Sequence, residues 1–288
     1  MSVDFVQVDV FAEAPYRGNP VAVFPEAGNL TGGQMQAIAS EMSLSETAFV
    51  TSASPERYEV RIFTPTQELG FAGHPTLGTA WTLRRAGVLT AERVEQRSAA
   101  GSTPVGFSGD VVWLERSGVV GPDLGATNPS VYARLAKALG LDESDIGLEA
   151  RELGRPGRLL PAFADAGLRH LIVPLRDLGA LARVALSPAA IAELGAVGAY
   201  CFAPVGAGRV RARAQLPGIG VAEDPATGSA AAALGLYLAD RTGPIDLTVE
   251  QGAELGRPGR LEVSASGPSV RVGGRCALVL TGTLEALP

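Results

Sequence analysis

The chain has 288 residues, of which 24 are basic and 30 acidic, for a formal net charge of −6. That balance excludes the basic face required by a nucleic acid or an anionic membrane surface. A single lysine, Lys137, sits where SVYARLAKALGL reads as the solvated side of a short helix, which sets aside Schiff-base, pyridoxal-phosphate and P-loop chemistry. Two His (74, 170) and two Cys (201, 276) lie at no metal-ligand spacing, so neither a zinc site nor a disulfide framework is expected. Two distant cysteines and an acidic start, MSVDFVQVDVF, suggest a cytoplasmic protein without a signal peptide.

Short strands follow one another between Gly, Pro and Ser turns: DFVQVDVF, PVAVF, ETAFV, YEVRIF, DVVWLE, RHLIVPL, AYCFA, LTVEQ and ALVLTGTLEAL. Helices are fewer. Residues 31–43 put Met35, Ile38, Ala39 and Met42 on one face. Residues 74–87 and 228–240 are apolar and Ala-rich, and each starts at a Gly-containing turn. A fourth helix, 129–140, opens at Asn128-Pro129-Ser130. The pattern is α+β rather than alternating βαβ. The stretch from Pro188 to Ala207 contains Glu193 and Pro204 and reads as core, not as a membrane span.

The chain also repeats itself. RIFTPTQELGFAGHPTLGTA (61–80) is echoed by RAQLPGIGVAEDPATGSAAAALG (213–235), matching Arg61 with Arg213, Pro65 with Pro217, Glu68 with Glu223, Gly73 with Gly228 and His74 with Ser229. This suggests a duplicated unit of strand, turn and helix, with two helix N-termini converging on one cleft. Such termini attract anions through unpaired N–H groups and the helix dipole, and Gly73 and Gly228 let a ligand carboxylate approach closely. The alternative is that both glycines only shape N-cap turns. A second repeat, ELGRPGRL at 152–159 and 254–261, reads as two Gly-Pro loops.

His74, Asp224 and Ser229 are the polar residues at these helix starts. Glu46 begins a strand with Ala48, Phe49 and Val50 behind it, and a carboxylate set against apolar residues suits proton abstraction. Its bland alternative is a solvated strand end.

Together these residues resemble a known family. RGNPVAVF (17–24), LSETAFV (44–50), FTP…E…GHPTLG (63–78), EDPATGSA (223–230) and EQG…GRPGRLEV (250–263) are similar to the signature segments of the phenazine-biosynthesis PhzF-like family, in its order and across essentially the whole chain. The resemblance implies a diaminopimelate-epimerase-like fold of two pseudo-symmetric halves, 1–115 completed by 278–288, and 116–277, each a β-barrel around a central helix. It also implies a cofactor-free, metal-free isomerase, usually a homodimer, acting on a small carboxylate; the family prototype isomerises trans-2,3-dihydro-3-hydroxyanthranilate. By motif match Glu46 is the proton-shuttling acid and base, with His74 and Asp224 beside it, while Gly73, Gly228 and Ser229 bind substrate. Epimerases of the wider fold use two facing cysteines. Here His74 and Ser229 hold those helix starts and Cys201 and Cys276 lie elsewhere, which disfavours a two-thiol racemisation. Two other readings stay open: an amino-acid or hydroxy-acid epimerase using Glu46 with His74 or Asp224 as opposed bases, and a non-catalytic protein that binds small acids. A nicotinamide enzyme fits poorly, since Gly206-Ala-Gly208 and Gly218-Ile-Gly220 lack the rest of a dinucleotide fingerprint.

Overall fold

The structure is a computed structural model, which describes residues 2–125 and 130–288. It divides into two units, Met1–Glu115 with Gly273–Pro288, and Arg116–Val272.

The first unit runs β1 (Val3–Val10), β2 (Asn19–Phe24), α1 (Gly32–Met42), β3 (Glu46–Ser54), β4 (Arg57–Phe63), β5 (Glu68–Leu69), α2 (Gly73–Arg85), β6 (Arg93–Ser98), β7 (Gly101–Ser108) and β8 (Val111–Ser117). β1 pairs antiparallel with β2, β2 pairs parallel with β3, β3 antiparallel with β4, and β4 parallel with β6. Hairpins then add β7 and β8. α1 opens on a capping box in which the Thr31 hydroxyl accepts from the Gln34 amide N–H and the Gln34 side-chain oxygen accepts from the Thr31 amide N–H. Its Met35, Ile38 and Ala39 cover a core continued by stacked Phe24 and Phe49, with Phe63 edge-on. α2 packs on β1, β2 and β3. Gly78 makes that approach close: a Cβ there would stand 2.6 Å from Val21 Cγ1.

The second unit runs β9 (Val119–Asp123), α3 (Ser130–Leu139), β10 (Leu148–Glu149), β11 (Arg158–Leu159), β12 (Ala162–Asp165), β13 (Arg169–Pro174), α4 (Leu178–Arg183), α5 (Pro188–Ala192), β14 (Ala199–Gly206), β15 (Arg209–Leu216), β16 (Val221–Asp224), α6 (Gly228–Thr242), β17 (Ile245–Gln251), β18 (Gly259–Ser266) and β19 (Ser269–Gly274). The expected opening of α3 at Asn128-Pro129 lies outside the described residues. β20 (Cys276–Leu284) then returns to the first unit and pairs antiparallel with β1.

The second unit repeats the connectivity of the first. β12 pairs antiparallel with β13, β13 parallel with β14, β14 antiparallel with β15, and β15 parallel with β17. Its core gathers Leu135, Leu139, Leu171, Val173 and Leu181 from α3, β13 and α4. α6 packs on β18, and Gly235 allows it, since a Cβ there would lie 2.5 Å from Val263 Cγ1. α4 and α5 were not anticipated. They have six and five residues, too short to show a helical period. β15 was also missed, because its RVRARAQL alternates arginine with small apolar residues.

Both copies of ELGRPGRL build the same turn. A 3₁₀ turn ends at Gly154 or Gly256, each in the left-handed region (φ 73° and 68°), and the chain then enters β11 or β18. No helix among the described residues is long and apolar enough to cross a membrane.

Candidate active site

Glu46 is the first residue of β3, in register with Val21 of β2. His74 is the second residue of α2. Glu46 Oε2 stands 3.4 Å from His74 Nε2, with side chains 19% and 8% exposed. The pair is within ion-pair distance but lacks hydrogen-bond geometry, and both atoms are buried without a hydrogen bond to any described residue. A buried polar atom left unsatisfied is costly, and such atoms mark places where a ligand completes the bonding.

The start of α2 leaves further bonding capacity. Its N-cap is Ala72, which has no side chain to accept from the first-turn amides. α6 starts in the same way: the Thr227 hydroxyl does not cap it. Instead that hydroxyl donates to Asp224 Oδ2 at 2.5 Å. Gln251 Nε2 donates to Thr227 Oγ1 (2.9 Å) and to the Asp224 carbonyl (2.8 Å), and Tyr200 donates to Gln251 Oε1 (2.9 Å). Asp224 therefore stands at the end of a buried chain of hydrogen bonds that sets its orientation. Gly228 is the first residue of α6 and Ser229 the second. Thus the first unit brings together Glu46, Gly73 and His74, and the second brings together Asp224, Gly228 and Ser229.

Sequence reasoning missed His170. It is buried on β13, and its Nε2 lies 3.0 Å from Ser229 Oγ. Burial pulls its pKa down from 6.5 to about 4, while the charge of Asp165 works the other way. No spacing in the chain connects positions 170 and 229; only the packing of α6 against β13 does.

The echoed positions are structurally equivalent within their own units. Arg61 donates through Nε and Nη2 to the two oxygens of Glu68 (2.7 and 2.6 Å), joining β4 to β5. Arg213 does the same to Glu223 (2.8 and 2.7 Å), joining β15 to β16. The duplication extends to VEQ at 94–96 and 249–251. Both glutamines accept from a tyrosine at 2.9 Å, but the tyrosines come from non-equivalent strands, Tyr58 of β4 to Gln96 Oε1 and Tyr200 of β14 to Gln251 Oε1. Against this common frame the polar residues differ. Arg61 lies opposite Phe49 and Arg213 opposite Cys201, so Glu46, three residues before Phe49, corresponds to Gly198, three before Cys201. Asp224 lies opposite Ala214, as Leu69 lies opposite Ile62.

The cysteines do not join either cluster. Cys201 is buried and its thiol is pushed up to about 12, chiefly by burial, and burial also raises Cys276. Neither holds a reactive thiolate at neutral pH. Among the described residues no three His, Cys, Asp or Glu side chains gather as a metal site.

A model of the PhzC-PhzF family, described as phenazine biosynthesis-like protein, matches residues 8–282. A trans-2,3-dihydro-3-hydroxyanthranilate isomerase of Pseudomonas aeruginosa is 37% identical over 274 residues, covering 93% of this chain and 92% of that protein. An uncharacterized isomerase of Deinococcus radiodurans is 36% identical over 298 residues, covering 96% and 92%. A PhzF-family phenazine biosynthesis protein of Bacillus anthracis superposes with a TM-score of 0.83 at 24% identity, over 99% of this chain and all of that one, a likeness of fold. The chain belongs to the phenazine biosynthesis-like PhzC-PhzF family and is an isomerase.

Proposed function

We propose that the protein moves a proton between two carbons of a small conjugated carboxylic acid, without a cofactor, and that Glu46 carries the proton. The observation that carries this reading is the Glu46–His74 pair, two buried groups facing each other at 3.4 Å with bonding capacity unspent. In the proposed cycle the Glu46 carboxylate takes a proton from an acidic C–H. The electron pair left behind delocalises through the conjugated system toward the carboxyl group. The protonated Glu46 then returns the proton to a second carbon, so one group serves as base and then as acid.

His74 donates a hydrogen bond to the substrate or to Glu46 and keeps the carboxylate aimed. The first-turn amides at Gly73 and Gly228, with the Ser229 hydroxyl, receive the substrate's carboxylate and stabilise the delocalised anion. Asp224, held by Thr227, orients a substrate donor group. In this reading the strands of each unit curl as a barrel about its long helix. The register supports a single shuttle rather than two opposed bases, since Gly198, without a side chain, occupies the place in the second unit that Glu46 occupies in the first.

The test is turnover of trans-2,3-dihydro-3-hydroxyanthranilate, the acid named for the relative from Pseudomonas aeruginosa, in heavy water with product analysis by NMR. Deuterium at a new ring carbon is the expected result, and Glu46→Gln abolishes its appearance. Deuterium at the original carbon with inverted configuration replaces the shift by an epimerisation. Activity of Glu46→Gln within tenfold of the parent removes Glu46 from the role.

A further inference from the structure

The His170–Ser229 contact has a direction that the chemistry of its surroundings determines. The distance from His170 Nε2 to Ser229 Oγ is 3.0 Å, and His170 is 1% exposed. His170 Nδ1 is buried and makes no hydrogen bond to any described residue. Burial also holds the ring neutral, with a pKa near about 4, so only one nitrogen carries a proton at neutral pH. If Nδ1 carried it, a buried N–H donor would be stranded, which is the rarer and costlier defect. If Nε2 carries it, only a lone pair is left unmatched, and Nε2 donates to Ser229 Oγ.

We infer that His170 is a positioning residue: it donates from Nε2 to Ser229 Oγ and thereby commits the Ser229 hydroxyl proton to an oxygen of a bound carboxylate. A hydroxyl has one proton to give, and accepting from His170 fixes the rotor so that this proton points away from the imidazole. Among the described residues the Ser229 hydroxyl makes no other hydrogen bond. Beside the uncapped amides of α6 this adds one more donor for an anionic oxygen, with Asp224 the acceptor of the same cluster. The carboxylate half of this inference rests on the function proposed above; the direction of the hydrogen bond does not.

Nitrogen-15 NMR of the ligand-free protein labelled in histidine reads the tautomer directly. The expected spectrum has a protonated Nε2 and an unprotonated Nδ1 for the ring that disappears in His170→Gln; a protonated Nδ1 overturns the inference. Calorimetry with 3-hydroxyanthranilate as probe reads the consequence. His170→Phe weakens binding about tenfold, and His170→Gln, whose amide can still donate, restores it to within threefold. In a Ser229→Ala background the His170→Phe change has no further effect, as expected for a residue acting only through Ser229. Equal weakening by Phe and Gln in two natively folded variants, or an undiminished effect without Ser229, overturns the positioning role. A parent that binds no 3-hydroxyanthranilate overturns the carboxylate half and counts against the proposed function, while the tautomer still decides the hydrogen bond.

Discussion

Arg213 and Glu223 form a forked ion pair whose arginine bonds through all three guanidinium nitrogens. Nε and Nη2 reach the two carboxylate oxygens, and Nη1 donates to the carbonyls of Leu181, Ala182 and Val184 at the end of α4. Burial works to raise the Glu223 pKa, but the hydrogen bonds from Arg213 and Gln215 outweigh it and hold the carboxyl below its ordinary range. Arg61 and Glu68 copy the fork at the surface of the first unit.

The two pairs differ in burial, 10% and 14% exposed for Arg213 and Glu223 against 37% and 35% for Arg61 and Glu68. Breaking a buried pair leaves an uncompensated charge and costs about 3–5 kcal/mol, whereas an exposed pair contributes about 0–1 kcal/mol. Urea unfolding should therefore show Glu223→Gln losing at least three times the stability lost by Glu68→Gln. Equal losses would mean that the fork, rather than its burial, sets the energy.

Gly235 tests the closeness of α6 to the sheet. An added Cβ lies 2.5 Å from Val263 Cγ1 and 3.2 Å from Val270 Cγ2. Alanine gains about 1 kcal/mol of helix propensity over glycine, but overpacking a core costs about 1–3 kcal/mol. Gly235→Val, with more atoms to place, should lower the thermal midpoint clearly, while Gly33→Ala, in a helix position with open space around its Cβ, should not.

His170 makes stability depend on pH. Its folded-state pKa lies near about 4 against an ordinary 6.5, so the unfolded chain binds the proton first. The contribution is fully present above about pH 6.5 and is lost as pH falls toward 4, amounting to about 3 kcal/mol across that window. Unfolding midpoints measured from pH 7 to 4.5 should fall for the parent, and the slope should flatten in His170→Gln.

Thr227→Val removes the hydroxyl that bonds Asp224 and accepts from Gln251. The fold should lose about 1–2 kcal/mol, the range for a broken buried hydrogen bond. The rate constant kcat should fall about tenfold, in line with a misaligned catalytic group. Unchanged kcat would remove Asp224 orientation from the mechanism.

Much of the site could be read before any fold was known. The segments LSETAFV, GHPTLG and EDPATGSA are local: each places its polar residue at a strand end or helix start by turn chemistry that neighbouring residues dictate. The Arg–Glu echo was equally legible, because the duplicated strand and turn keeps its residue types in order, although Arg and Glu stand 7 positions apart in one copy and 10 in the other.

What only tertiary structure decided is where non-local packing sets partners and burial. Strand register made Gly198 the counterpart of Glu46, because the pairing of β3 with β4 and of β14 with β15 is fixed by the whole sheet and not by either segment. The seating of α6 on β13 brought His170 to Ser229 across 59 positions of chain. The packing of α4 on β15 buried Arg213 while Arg61 stays at the surface, so one motif has two energies. Sequence determines which groups are available; desolvation and neighbours, which set their chemistry, follow from the fold.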